Sequence, residues 1–341
     1  MQNNYKKEII WALGIFFFFF FSFSQLFNLT GNLIAKNATV FDSFEFVLGE
    51  HHLPSPTQDS SLPGQQSRQA GLEKEEISGH LTVAFVGDIM LDRGVEYSVN
   101  KNFNGDYGQL FAKVSERLKS YDLLFGNLEG PVSDQGMDVG GIYSFRMDPI
   151  VLPFLAKAGF DGFSLANNHI LNYGLEALAD TKIRLIENNF NIAGQKVIVL
   201  NGVRIMILPF NQFADLNLEQ MKEEISSAKL ANDLVIAFFH FGDEYQTLPN
   251  YYQKNIAQSA IDSGADLIVG AHPHVVQTLE QYKNVWIAYS LGNFIFDQYF
   301  SPDTKWGGLL EVDINTKDKR IEKVTLRKVT FNQYFQIESI E

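Results

Sequence analysis

The sequence predicts an α/β protein built on a largely parallel sheet. From Leu81 onward, short apolar runs alternate with amphipathic segments, as in strands joined by crossover helices. The runs are continuously apolar, which is typical of strands buried on both faces. The predicted strands are Leu81–Val86, Leu123–Phe125, Gly162–Leu165, Ile205–Leu208, Leu234–Phe239, Leu267–Val269 and Val285–Tyr289.

Amphipathic segments between these strands predict four helices, at Leu110–Leu118, Pro149–Ala158, Leu175–Ile186 and Tyr252–Ile261. The chain from Gly308 to Glu341 has no helical pattern. It carries strand-like stretches such as Val312–Ile314 and Lys323–Val329. We expect this region to add an antiparallel edge or a small appendage to the same domain.

A charge-free apolar stretch, Ile9–Phe27, follows two lysines near the N-terminus. Its length and flanking charge predict a single transmembrane helix with the remainder of the chain outside the cytoplasm. A cleaved signal peptide and a soluble protein are the alternatives, although no A-x-A-like cleavage site follows Phe27. The predicted organisation is a cytoplasmic tip and anchor at 1–28, a flexible tether at 29–79, the main domain at 80–315 and a strand appendage at 316–341.

Composition excludes several classes of site. The net charge of −13 argues against general nucleic-acid binding, because phosphate backbones attract basic surfaces. The chain has no cysteine, which excludes disulfides, thiolate zinc sites and cysteine nucleophiles. Any metal must therefore be held by His, Asp, Glu or Asn.

Polar side chains recur immediately after the predicted strands. In an open α/β sheet the carboxyl ends of parallel strands share one edge, so residues distant in sequence converge there. Oxygen and imidazole ligands without thiolate suit Mn²⁺, Fe or Zn²⁺ better than Mg²⁺ or Ca²⁺. The residues at that edge are Asp88, Glu129, Asn168, His169, His240, His272 and His274.

Each of these residues also has a purely structural explanation. A single Asp or Asn after a strand is commonly a turn former or helix cap, and a single His is commonly a hydrogen-bonded loop residue. The pair His272 and His274 is a stronger signal, because Pro273 stiffens the turn between them. Convergence of compatible ligands from five turns favours a metal site. No G-x-S-x-G elbow supports a Ser-His-Asp triad, and no G-x-G-x-x-G supports dinucleotide binding.

Six ordered motifs then resemble the CapA family of bacterial capsule, or poly-γ-glutamate, biosynthesis proteins. That family is similar in turn to the calcineurin-like metallophosphoesterases. The resemblance covers roughly Leu81 to Asp297, and it implies a sheet sandwich flanked by helices with a dinuclear metal site. The motifs are Val86–Leu91, Gly126–Gly130, Leu165–His169, His240–Tyr245, Gly270–His274 and Tyr289–Phe294.

The resemblance also implies roles for individual residues. Glu129 would bridge two ions, one completed by Asn168, His240 and His272 and the other by Asp88 and His274. His169 would stabilise or protonate the leaving oxygen, and Asn127, Glu244 and Asn293 are expected to contact substrate. The chain departs from these patterns at Met90, where the superfamily has a His ligand, and at Asn172, where an Asp is usual.

The expected function follows from the resemblance, not from composition. It is a single-pass bacterial membrane protein whose extracytoplasmic domain acts in capsule or poly-γ-glutamate biosynthesis or export. One or two transition-metal ions (Mn, Fe or Zn) are expected as cofactors. The expected partners are an anionic polymer or phosphoester and membrane subunits of a capsule synthesis complex. Three hypotheses remain open: hydrolysis of a phosphoester, polymer binding without turnover, and a scaffold role.

Overall fold

A computed structural model describes residues 79–341. The strands are β1 His80–Ile89, β2 Leu123–Leu128, β3 Gly162–Ser164, β4 Asn191–Ile192, β5 Ile198–Leu200, β6 Val203–Asn211, β7 Leu234–His240, β8 Leu267–Ala271, β9 Leu279–Tyr282, β10 Val285–Ala288, β11 Asn293–Ile295, β12 Trp306–Asn315, β13 Arg320–Phe331 and β14 Ile337–Ile340. The helices are α1 Arg93–Phe103, α2 Ser115–Leu118, α3 Val151–Ala158, α4 Gly174–Glu187, α5 Leu218–Ala231 and α6 Tyr251–Asp262.

The strands form two sheets. The first has the order β14-β13-β12-β1-β2-β3-β4, with β11 also paired to β1. In it β1 to β4 and β11 are parallel, and β12 to β14 are antiparallel. The second sheet has the order β5-β6-β7-β8-β10-β9, in which the pairs β6-β7, β7-β8 and β8-β10 are parallel. The strand pattern alone predicted one sheet; the division into two matches the sandwich that the resemblance implied.

The two sheets pack face to face, and helices cover their outer faces. Strand residues alternate between faces with period two, so every second residue enters the core between the sheets. Leu81, Val83 and Phe85 of β1 meet Ile236 and Phe238 of β7 in that core. The intervening residues of each strand pack outward, against α1 to α4 on the first sheet and against α5 and α6 on the second. Burial on both faces explains the continuously apolar strands.

Three differences concern the helices. The predicted helix Leu110–Leu118 is interrupted: a 3₁₀ turn at Tyr107–Leu110 is separated from the four-residue α2. The sequence pattern missed α1, which begins after the N-cap Asp92. It also missed α5, in which only Met221 and Ile225 are buried, so the apolar stripe is too sparse to recognise.

The C-terminal strands extend the first sheet as the alternating pattern indicated. β12 pairs with β1 along seven positions, and β13 and β14 follow it outward. Among residues 79–341, no helix is long and apolar enough to cross a membrane. The predicted span Ile9–Phe27 and the predicted tether lie outside the described residues.

Candidate metal centre

The first sheet contributes three side chains in register at its carboxyl edge. Asp88 on β1 is paired with Asn127 on β2 and with Asn293 on β11. All three are fully buried. The next turn places Glu129 beside them, and the backbone N–H of Glu129 donates a hydrogen bond to the carbonyl of Ile89 at 2.9 Å. Parallel pairing therefore brings two carboxylates and two amides to one point of the sheet edge, as expected for residues that follow parallel strands.

The second sheet contributes three histidines to the same place. His240 ends β7, whereas His272 and His274 follow β8 in a turn with backbone φ angles of 100° and 59°. Left-handed backbone in non-glycine residues costs about 1–3 kcal/mol each and is concentrated at functional sites. The turn is held by a 2.8 Å hydrogen bond from the N–H of Tyr245 to the carbonyl of Pro273.

Asp88 is held in its ionised form. It accepts hydrogen bonds from the Asn127 amide at 2.8 Å and the backbone N–H of His272 at 3.1 Å, and Nδ1 of His274 lies 3.3 Å away. Burial alone would raise the pKa of Asp88. The His274 hydrogen bond, the charge of His274 and the Asn127 hydrogen bond outweigh burial and lower that pKa below its ordinary value.

Glu129 is in the opposite situation. Both carboxylate oxygens are buried and neither accepts a hydrogen bond from any residue between 79 and 341. The nearest nitrogens, Nε2 of His169 and Nε2 of His274, each lie 3.8 Å from Oε1, too far for a hydrogen bond. Burial, followed by the charge of Asp88, raises the pKa of Glu129 well above its usual value. An ionised carboxylate here requires a cation.

The donor set around Glu129 fits such a cation. One oxygen or nitrogen atom from each of Asp88, Glu129 and His240 lies within 4.8 Å of the others, and the same holds for Glu244, His272 and His274. Nε2 of His240 is 2.8 Å from Oδ1 of Asn168 and 3.2 Å from Nδ1 of His272. These are ordinary hydrogen-bond distances, and they bring three ligand atoms close enough to share one ion.

The histidines are suited to binding a metal in their neutral form. Burial, followed by the charge of His272, lowers the pKa of His240 well below its usual value. Burial, followed by the charge of His274, lowers the pKa of His272 to about 3. Neutral imidazole is the form of histidine that coordinates metals.

His169 lies at the entrance of this cluster. Its ring stacks on Phe145 with centroids 4.0 Å apart, and its Nδ1 lies 2.9 Å from Oδ1 of Asn172. Asn172 thus orients the histidine with a neutral amide, at the position where the resemblance led us to expect an Asp. Burial is the main cause that lowers the pKa of His169.

Met90 provides no ligand. It is fully buried in a small cluster with Phe145 and Phe296, and its sulfur accepts the backbone N–H of Asp92 at 3.2 Å. The aromatic rings of that cluster contact the site, since Phe145 stacks on His169 and Phe296 contacts His274 with centroids 4.7 Å apart.

The three expected substrate contacts lie in different environments. Glu244 is exposed, whereas Asn127 and Asn293 are fully buried. Oδ1 of Asn293 lies 3.0 Å from Nδ1 of His274. Sequence reasoning did not select two aromatic residues that line the site. Phe213 packs on His272 with centroids 4.3 Å apart, and Tyr245 stacks on His274 at 6.0 Å.

Comparisons with known proteins place these residues in context. Residues 82–298 match the family model described as bacterial capsule synthesis protein PGA_cap. The capsule biosynthesis protein CapA of Bacillus anthracis is 34% identical over 268 residues, covering 69% of this chain and 64% of that protein. The PGA biosynthesis protein CapA of Bacillus subtilis is 33% identical over 248 residues, covering 64% of each. The alignments thus span less than two thirds of both relatives.

A solved structure described as a novel phosphatase from Mycoplasma pneumoniae aligns with 75% of this chain and 96% of its own, at 14% identity and a TM-score of 0.47. An alignment at that score carries no argument about activity.

Proposed function

This chain belongs to the bacterial capsule synthesis protein family PGA_cap, and from that premise we propose that it acts in the synthesis or export of a capsule polymer through a metal-dependent phosphoesterase site. The metal part of the proposal is supported by one observation. Glu129 is a fully buried carboxylate that receives no hydrogen bond from residues 79–341, and it is surrounded by carboxylate and imidazole ligands. Burying an uncompensated charge costs several kcal/mol, which a bound cation would offset.

The proposed ligands are divided between two positions that share Glu129. We assign Asn168, His240 and His272 to one position and Asp88 and His274 to the other, as the family resemblance implies, and contacts within each group support this. His240 also lies within 4.8 Å of Asp88 and Glu129 and can serve either position. A divalent transition metal bound there would supply Lewis acidity and a nucleophilic water. Asp88 and Glu129 would neutralise its charge, and the buried neutral histidines would bind without first losing a proton.

His169 is proposed to act on the leaving oxygen. Asn172 accepts a hydrogen bond from Nδ1 of His169, which orients Nε2 toward the centre of the site, 3.8 Å from Glu129. Nδ1 holds the proton of the neutral ring, so Nε2 would donate a proton to the departing alkoxide, as a general acid does, only from the doubly protonated form. The negative charge of a bound phosphoester would favour that form against the lowered pKa of His169. Stacking against Phe145 keeps the ring in that orientation.

The polymer and the location are proposed from the family. The Bacillus subtilis relative is named as a PGA biosynthesis protein, and we propose poly-γ-glutamate or a similar anionic polymer, or a phosphoester intermediate, as the ligand class. We also propose that Ile9–Phe27 anchors the chain in the bacterial membrane, with the domain outside the cytoplasm and membrane subunits of a capsule synthesis complex as partners.

The decisive experiment measures metal content and turnover together. The purified protein is expected to contain one or two equivalents of Mn, Fe or Zn by elemental analysis and to hydrolyse members of a phosphoester panel. His240→Ala should lose both properties, whereas His80→Ala, outside the site, should keep them. A wild-type protein that neither contains nor takes up metal would refute the metal site.

A second function is favoured by one specific observation. Met90 is enclosed by apolar side chains and donates nothing to the Asp88 position, so that position has fewer ligands. A site with one ion could bind an anionic polymer without hydrolysing it. This alternative predicts that metal and polymer bind, that the phosphoester panel remains intact, and that His240→Ala still abolishes capsule formation.

A further inference from the structure

Two buried asparagines, Asn127 and Asn167, lie behind the candidate metal ligands. Their exposed fractions are 0% and 2%. Asn127 is on β2, and Asn167 is in the turn after β3, directly before Asn168. Their side chains are joined by a 3.1 Å hydrogen bond from Nδ2 of Asn167 to Oδ1 of Asn127.

The orientation of the Asn167 amide is set by two backbone groups. Its Oδ1 accepts the N–H of His169 at 3.1 Å, and its Nδ2 donates to the carbonyl of Leu128 at 2.9 Å. A reversed amide would place donor against donor and acceptor against acceptor. The second N–H of Asn167 is therefore directed at Asn127.

The orientation of Asn127 follows from this contact. Its oxygen accepts from Asn167, so its nitrogen must face the site, where it donates to Oδ1 of Asp88 at 2.8 Å and lies 3.3 Å from Nδ1 of His240. Both N–H groups are thereby engaged, and the side chain is inaccessible to solvent. Asn127 has no donor left for a substrate.

We propose that Asn167 and Asn127 form an amide strut that positions Asp88 and His240, and that Asn127 does not contact substrate. The expected effect of this strut on metal affinity rests on the proposed metal site. The strut runs from the backbone at Leu128 and His169, through both asparagines, to a carboxylate from the first sheet and an imidazole from the second. It therefore fixes ligands of two sheets relative to each other.

The expected effect is on metal affinity. Partners that orient metal ligands typically contribute 10–100-fold to affinity, because free rotation of a ligand is otherwise lost on binding. Asn167 touches neither Asp88 nor His240 among the described contacts, but it directly precedes Asn168, whose Oδ1 lies 2.8 Å from Nε2 of His240. A purely local role in the turn would therefore act on His240 through Asn168 and leave Asp88 unaffected, whereas the strut acts on Asp88 through Asn127.

The test measures Mn²⁺ binding to the purified full-length chain by calorimetry. Asn127→Ala and Asn167→Ala are each expected to weaken Mn²⁺ binding by about 10–100-fold. The double variant should bind Mn²⁺ no more weakly than Asn127→Ala does, because the two single substitutions break the same strut. Asn191→Ala is the matched control: Asn191 donates to the carbonyl of Asp161 on the same sheet, outside the site, and its loss should leave Mn²⁺ affinity unchanged.

A second measurement separates the strut from the metal site. The side-chain carboxyl ¹³C NMR shift of Asp88, recorded without metal, should move in Asn167→Ala and stay constant in Asn191→Ala. An unchanged Asp88 shift, or unchanged Mn²⁺ affinity in a folded Asn167→Ala protein, would overturn the strut. A wild-type chain that binds no Mn²⁺ would refute the metal site instead, and the Asp88 shift would still decide the strut.

Discussion

Glu129 and Glu311 are two largely buried carboxylates with opposite surroundings. Glu129 has no hydrogen-bond donor among the described residues, whereas Glu311 accepts from Tyr121 at 2.6 Å, Arg117 at 2.8 Å and Arg327 at 2.7 Å. A fully compensated carboxylate of this kind stabilises the fold. An uncompensated one is retained where a ligand completes it.

The first prediction concerns Glu129→Gln. Without metal, this variant should be more stable than the wild type by about 1–3 kcal/mol in free energy of unfolding at pH 7. The raised pKa of Glu129 means that the wild-type carboxyl takes up a proton on folding, which costs free energy at pH 7, whereas the Gln amide does not. The variant should also lose the stabilisation by added Mn²⁺. Urea unfolding with chelator or with Mn²⁺ measures both. A variant that is less stable in chelator would show that Glu129 has a donor; exposed Glu116→Gln is the control.

The second prediction concerns the pH dependence contributed by Glu311. Burial alone would raise the pKa of Glu311, but hydrogen bonds from Tyr121, Arg117 and Arg327 outweigh it and lower the pKa from 4.5 to about 2. A depressed pKa stabilises the folded protein above about pH 4.5, and this contribution is lost as the pH falls toward 2.

Glu311→Gln should therefore lower the free energy of unfolding by about 1–3 kcal/mol at pH 7 and have a progressively smaller effect toward pH 2. Unfolding curves of wild type and variant across this range provide the measurement. An equal difference at every pH would exclude an electrostatic origin, and Glu116→Gln should show no difference at all.

At the scale of elements, the site depends on unusually close strand packing. Gly270 on β8 leaves no room for a side chain, because a Cβ there would lie 2.0 Å from the carbonyl oxygen of Tyr289, which follows β10. β8 carries His272 and His274 just beyond its end, so displacement of this strand moves two proposed ligands.

The third prediction follows from this packing. Gly270→Ala should lower the free energy of unfolding by about 1–3 kcal/mol through overpacking, and it should weaken Mn²⁺ binding as well. Thermal unfolding and calorimetry test the two effects. Gly79→Ala is the control, because the nearest atom to its Cβ is 4.0 Å away. Unaltered Mn²⁺ affinity in Gly270→Ala would show that the histidine turn is independent of the strand.

At the scale of the whole domain, the candidate centre joins the two sheets. Asp88 and Glu129 come from the first sheet, and the three histidines come from the second. An ion bound between them is a cross-link that exists only in the folded state.

The fourth prediction is a metal-dependent thermal stability. At a Mn²⁺ concentration about a hundredfold above Kd, binding should add about 2.7 kcal/mol and raise the Tm by several degrees. Chelator should reverse the shift, His272→Ala should abolish it, and His80→Ala should retain it. A Tm independent of Mn²⁺ in the wild type would contradict a site shared by both sheets.

Some residues of the site could be predicted from the sequence, and others could not. Asp88, Glu129, Asn168 and the histidines could be selected because each follows an apolar strand, and β-α alternation implies a common edge. Asn167 could not be selected, because its role arises from backbone groups of Leu128 and His169 that meet only in the folded protein. Phe213 comes from the loop after β6, where no chemical motif marks it.

The sequence by itself determined the α/β class, most strands, and the set of polar residues at the strand ends, because period, apolarity and strand-end position are local properties of the chain. Only the tertiary structure decided the division into two sheets and the burial of Asn127 and Asn293. It also decided that no donor within the described part of the chain reaches Glu129. These features depend on which surfaces meet, and strand pairing between distant segments is encoded in no single stretch of sequence.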